Sequence, residues 1–209
     1  MKGLIRPTFA IMGSGGMGGY IGAKLHQAGY DVSFIARGAH LEAMTQFGLH
    51  IEEPGDEFVI HPMKATAKPE EIGEVDYVIF AVKLWDTVPA ARQCQGLLGP
   101  ETAVLSMQNG VDPEEILGNV IGPAHVMGAV AEVGANIVKP GAVRRYSPTA
   151  SLRFGELDQS PSLRANRFKD AVAAIGFEAD HAARLKNNSW SIFSETMDMR
   201  VIPLTIEDG

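Results

Sequence analysis

Apolar residues along the chain fall into short, unbroken runs separated by glycine-rich or polar turns. Thr8-Phe9-Ala10-Ile11-Met12 is the first such run and reads as a buried strand. After a cluster of glycines, Tyr20 to Ala28 has helical periodicity and stops at Gly29. Val32-Ser33-Phe34-Ile35-Ala36 reads as a second strand, and His40 to Phe47 as a helix closed by Gly48. Leu49-His50-Ile51 and Phe58-Val59-Ile60 form a predicted hairpin around Glu53-Pro54-Gly55-Asp56. Val75 to Val82 is nearly continuous in apolar residues, as in strands of parallel sheets that are covered on both faces. A helix is expected over Val88 to Leu98, a strand over Ala103 to Met107, and further strands near Val126–Val130, Ala142–Tyr146 and Ser151–Phe154. Around residue 160 the pattern turns helical. Ser160 is the expected cap with Pro161 in the first turn, the helix runs to Ala174, and another is expected from Asp180 to Arg200.

Alternating strands and helices of this kind predict a doubly wound α/β sheet. The turn between the first strand and helix refines that prediction. Gly13-Ser14-Gly15-Gly16-Met17-Gly18 is a G-x-G-x-x-G in the strand–turn–helix setting that a dinucleotide fingerprint requires. Gly13 would allow the tight turn, Gly15 the close approach of a pyrophosphate, and Gly18 the close packing of helix on strand. The phosphates would meet free N–H groups at the positive end of the helix dipole. The second strand then ends in Arg37-Gly38-Ala39-His40, with no carboxylate where NAD would seek one for its ribose 2′-hydroxyl. A guanidinium stands where NADP would place its 2′-phosphate, so NADP is the expected cofactor. An ordinary solvated charge at a strand end is the alternative for Arg37. The fold class is therefore α/β, a Rossmann-type doubly wound sheet followed by a short α-helical segment. Its expected divisions are residues 1–159, which bind the cofactor, and 160–209, the helical remainder.

Composition excludes several other classes. A net charge of −7 argues against nucleic acid or an anionic membrane as partner, and no apolar stretch is long enough to span a bilayer. The single cysteine, Cys94, rules out an internal disulfide, fits a reducing cytoplasm, and lies in a helical stretch where packing is its expected role. The six histidines show no metal spacing, so no metal site is expected.

In open α/β sheets ligands bind beyond the carboxyl ends of the strands. Three such ends carry polar residues: the Gly13 turn, Lys83, and Gln108-Asn109-Gly110. Lys83 would meet a phosphate or a substrate carboxylate, the alternative being a solvated charge at a helix start. Asn109 would hydrogen-bond the nicotinamide or the substrate, the alternative being a turn residue before glycine.

Taken together, several stretches resemble the ketopantoate reductase (2-dehydropantoate 2-reductase) family. They are Ile11 to Gly18, Ala36-Arg37-Gly38 with His40-Leu41, Ala81-Val82-Lys83, Gln108-Asn109-Gly110-Val111, Pro140-Gly141-Ala142-Val143 and Phe154-Gly155-Glu156-Leu157-Asp158. The resemblance runs from about Phe9 to Asp158. It implies an NADPH-dependent oxidoreductase of pantothenate biosynthesis, in which hydride passes to the 2-keto carbon of ketopantoate and a lysine acts as general acid. By the resemblance, Gly13, Ser14, Gly15, Gly16, Met17, Gly18 and Arg37 bind the cofactor, with Lys83 and Asn109 at the nicotinamide and substrate end. The counterpart of the catalytic lysine is Lys186 in Ala183-Arg184-Leu185-Lys186-Asn187, although Arg184 stands where the family usually has Trp, and Trp190 where it has a substrate-contacting Asn. A solvated lysine is the alternative. Family members continue through later helices that supply Ser and Glu to the substrate, and nothing after Trp190 matches them. The resemblance thus implies that the α-helical segment is short and incomplete, a partial helical domain over 160–209. Apolar faces at Trp190, Ile192 and Phe193 would then be exposed, leading to a homo-oligomer or to local disorder. Two alternatives stay open: a truncated, non-catalytic NADP-binding remnant, and a related reductase acting on another 2-keto acid.

Overall fold

The computed structural model describes residues 6–108 and 113–181. Five strands that the apolar runs predict form the centre of an eight-stranded sheet: β1 (Thr8–Met12), β2 (Asp31–Ile35), β6 (Val75–Phe80), β7 (Leu98–Ser106) and β8 (Val126–Glu132). Three more strands complete it: β5 (Lys64–Thr66), β11 (Ser151–Glu156) and β12 (Glu178–His181). The order is β12-β11-β8-β7-β6-β1-β2-β5. Every neighbouring pair is parallel except β11 with β8. From β5 to β8 this is the doubly wound order, with β1 in the middle and the chain crossing over to β6 after β5.

Near-continuous apolar strands arise because both faces are covered. Phe9 and Ile11 of β1, with Tyr77 and Ile79 of β6, pack on one side, where α1 (Gly16–Gln27) and α5 (Leu163–Ala174) lie. Ala10, Met12, Val78 and Phe80 point to the other, against α3 (Thr87–Gln93) and α4 (Pro113–Ile121). Cys94 is fully buried in that second core, and burial pushes its thiol up to about 12, so it is a packing residue. The remaining helix, α2 (Gly38–Phe47), follows β2 and ends at Gly48, whose φ of +82° suits glycine.

A second sheet covers α1 from outside. The predicted hairpin forms as β3 (Leu49–Glu53) and β4 (Asp56–Ile60), and β10 (Ala142–Arg145) joins β3 in parallel. The edge strand β9 (Ala135–Lys139) completes the order β4-β3-β10-β9. A half-buried polar cluster ties this sheet to α1. Glu53 accepts from the Tyr20 hydroxyl and from Lys24 Nζ at 3.0 Å, with Arg145 Nε at 3.5 Å. Burial pushes the Glu53 carboxyl up, but the bonds from Tyr20 and Lys24 outweigh it and hold the group below its ordinary range.

Several expectations are corrected. The first helix begins at Gly16, not Tyr20, because its glycines are packed against both sheets rather than loose in a loop. The expected helix over Val88–Leu98 is α-helical only to Gln93, tightens into a 3₁₀ turn over Cys94–Leu97, and gives way to β7 at Leu98. Ser160 is not the cap of α5. Its N–H donates to Asp158 Oδ1 at 2.9 Å, and Ser162 Oγ caps the helix by accepting from Ala165 N at 3.0 Å. Asp180 and His181, the first residues of the helix expected to Arg200, end β12 instead, and the rest of that stretch lies outside the described residues. Within the described residues, α5 and β12 pack on the main sheet through Phe168, which touches Phe9, Tyr77 and Phe154, and through β12 pairing with β11.

Candidate functional site

At their carboxyl ends β1, β6 and β7 finish level, with Met12 beside Phe80 and Phe80 beside Ser106. The chain turns there at Gly13, whose φ of +96° an L side chain rarely adopts, and whose added Cβ would lie 2.9 Å from Val82 Cγ1. Ser14 is buried and held from two sides, its N–H donating to Ile35 O at 2.9 Å and its carbonyl accepting from His40 Nε2 at 2.9 Å. Gly15 then caps α1 with no side-chain hydrogen bond, no acidic residue follows in the first turn, and a Cβ at Gly15 would meet nothing within 4 Å. The first N–H groups of α1 have no intrahelical acceptor. An uncapped positive helix end therefore opens beside a bare patch of backbone.

That end opens on a cleft of about 240 Å³. Gly13, Ser14 and Gly15 line it together with Val82, Pro89 and Ile137 of β9. Arg37 lines it as well, with its side chain 77% exposed, and its Nη2 donates to Asp86 Oδ2 at 3.0 Å. Asp86 closes the 3₁₀ turn Leu84–Asp86 that follows β6. His40, also in the lining, bridges two loops. Gly141 N–H donates to its Nδ1 at 3.1 Å, so Nδ1 is the bare nitrogen, and the proton on Nε2 goes to Ser14 O. Burial lowers the His40 pKa below its ordinary value of 6.5 despite the bond to Ser14. At the far end of the β6 turn, Gln108 Nε2 donates to Val82 O at 3.0 Å and to Thr87 Oγ1 at 2.8 Å. The ends of β6 and β7 are thus clamped together.

Of the residues that the sequence singles out for cofactor, Gly13, Ser14, Gly15 and Arg37 come together in the cleft lining. Gly16, Met17 and Gly18 lie in the first turn of α1, where Gly16 faces the backbone of Ala135 and Gly18 the carbonyl of Gly13. Lys83 is exposed at the end of β6. Asn109 and Lys186 lie outside the described residues. Sequence reasoning missed Asp86, which pairs with a residue 49 positions earlier, and it gave His40 and Gln108 no role. The only signal for Asp86 was its place three residues after Lys83, at the carboxyl end of a central strand. Among the described residues no group of three or more His, Cys, Asp or Glu could hold a metal, and no helix is long and apolar enough to cross a membrane.

Residues 9–159 match the family described as Ketopantoate reductase PanE/ApbA. The chain belongs to the ketopantoate reductase family. Among curated members, it is 34% identical over 201 residues to the 2-dehydropantoate 2-reductase of Mesorhizobium japonicum, covering 86% of this chain and 61% of that one. It is 32% identical over 181 residues to the 2-dehydropantoate 2-reductase of Archaeoglobus fulgidus, covering 87% and 58%. The chain thus spans about three-fifths of the length of these members. A crystal structure of the 2-dehydropantoate 2-reductase of Porphyromonas gingivalis superposes with a TM-score of 0.82 at 28% identity, over 91% of this chain and 68% of that one. D-mandelate dehydrogenase in complex with NADH and anilino(oxo)acetate shares the fold, with a TM-score of 0.75 at 24% identity over 82% and 55%.

Proposed function

We propose that the chain binds a nicotinamide dinucleotide, NADP in preference to NAD, in the Gly13–Arg37 cleft and serves the reduction of ketopantoate to pantoate. The observation that carries this reading is the uncapped end of α1, open at Gly15 and flanked by Arg37, in a member of the ketopantoate reductase family.

The residues fit the group. The open backbone at Gly15 admits a pyrophosphate, the first-turn N–H groups of α1 donate to it, and Arg37 offers a planar guanidinium to a 2′-phosphate. Ser14, fixed by Ile35 and His40, holds the turn in that shape before any ligand arrives. When bound, the nicotinamide supplies a hydride to the 2-keto carbon. Lys186 would donate a proton to the oxygen of that carbonyl as negative charge develops on it, leaving the hydroxyl of pantoate. Lys83 and Asn109 would orient the carboxylate and carbonyl of the substrate. The reducing cytoplasm, where Cys94 stays a thiol, is the compartment that suits this chemistry.

The test is loss of NADPH absorbance when the purified chain is given ketopantoate. Turnover is the expected outcome. A folded sample that binds NADPH but leaves ketopantoate untouched would overturn the assigned reaction and leave only the cofactor site.

A further inference from the structure

The ribose end of the cleft carries a carboxylate that the first two strands do not supply. Asp86 comes from the turn after β6, and its Oδ2 sits 3.0 Å from Arg37 Nη2. Both residues line the same cleft as the glycine turn. Asp86 is the less exposed of the two, with its side chain 32% accessible against 77% for Arg37. The guanidinium proposed to receive a 2′-phosphate is therefore already paired, and the positive charge there is offset before any nucleotide enters.

We infer that Asp86 is a specificity-determining residue that narrows the preference for NADPH over NADH and lets the site accept both. This inference rests on the proposed dinucleotide reading of the cleft and adds to it. A 2′-phosphate brings roughly −1.5 to −2 charges. Asp86 occupies only Nη2 of Arg37, so the phosphate would bind the remaining N–H groups of the guanidinium and lie beside the Asp86 carboxylate. The charge of that carboxylate offsets Arg37 and repels the phosphate, weakening NADPH. A ribose 2′-hydroxyl instead finds in Asp86 the acceptor that other dinucleotide sites place at the end of the second strand. Here it comes from the turn after β6. The exposed geometry keeps the carboxylate in reach of water, so the effect is on selectivity and leaves the fold unaffected.

Dissociation constants for NADPH and NADH, read from the fluorescence of the reduced nicotinamide, test this on the full chain and on its Asp86→Asn and Asp86→Ser variants. Both variants are expected to tighten NADPH and weaken NADH, raising the ratio of the two affinities about tenfold. An unchanged ratio in both, or equal loss of both nucleotides, would overturn the role of Asp86, since a merely structural residue moves the two together. If the unsubstituted chain bound neither nucleotide, the cofactor reading would fall and this inference with it. That failure is distinct because it shows before any substitution is made.

Discussion

His40 shows how much a single ring can hold in place. Its Nε2 donates to the carbonyl of Ser14 in the glycine turn, and its Nδ1 accepts from Gly141 between β9 and β10. A second proton would put an N–H on Nδ1 facing the Gly141 N–H, so the bridge exists only for the neutral ring. Burial already lowers the pKa of His40 below 6.5. The sign follows: the unfolded chain takes up this proton first as pH falls, so the stabilisation is complete above about 6.5 and is lost below it. Denaturation midpoints of the native chain and of His40→Gln, compared at pH 7.5 and 5.5, should therefore lie closer together at the lower pH. A constant gap would mean that the ring does not titrate in that window. At this scale the sequence was partly legible. Gly13, Gly15 and Arg37 announce themselves by motif and position, whereas His40 and Asp86 act through contacts with Gly141 and Arg37 that no local pattern encodes.

At the scale of elements, α1 governs the site. It lies between two sheets and presents glycine to both. A Cβ at Gly22 would come within 2.6 Å of Phe34 Cε1, and one at Gly18 would run into the Gly13 carbonyl and lie 3.0 Å from Ala81 Cβ. On the opposite side Gly16 faces β9, and a Cβ at Gly19 would stand 3.3 Å from Val143 Cγ2 of β10. The two motif glycines should separate cleanly under substitution. Gly18→Ala gains about 1 kcal/mol of helix propensity, but the clash with backbone costs roughly 1–3 kcal/mol. A net fall in unfolding free energy is expected by urea titration. Gly15→Ala has open space and an extended φ of −76°, so its midpoint should stay near that of the native chain while NADPH affinity drops. Equal stability loss in both would contradict the packing described for α1. The sequence predicted most of the elements because strands buried on both faces are continuous apolar runs. It missed α4 although Pro113 with Glu114 and Glu115 is a helix-start signal, and it missed β9, an edge strand that is mostly exposed and so carries no apolar alternation. Nor does any pattern say that β3, β4 and β10 leave the main sheet to form a second one, since that partition is decided by what packs on α1.

At the scale of the whole molecule, aromatic packing joins the early and late parts of the described residues. Phe168 of α5 meets the ring of Phe154 edge-on at 4.7 Å and lies 5.3 Å from that of Tyr77, which stacks on Phe9 at 5.2 Å. Beside it, Tyr77 donates to Arg164 O at 2.7 Å, and Arg164 grips the Glu156 carboxylate through Nε at 2.8 Å and Nη2 at 2.7 Å. If residues 163–181 are part of the cofactor-binding body, Phe168→Ala should lower the stability of the entire sheet by about 3–5 kcal/mol while keeping one unfolding transition. A separate early transition would mean that α5 unfolds by itself. The glycine-lined helix carries a consequence for how the chain folds. Four glycines, Gly16, Gly18, Gly19 and Gly22, lie within its twelve residues, and each costs about 1 kcal/mol against alanine in a helix that short length already makes marginal. Released from its neighbours, this segment has no reason to coil. Its helix depends on the packing of both sheets around it, so a nucleotide that gripped the Gly13–Gly15 turn would stabilise β1, β2 and the outer sheet together, as one unit.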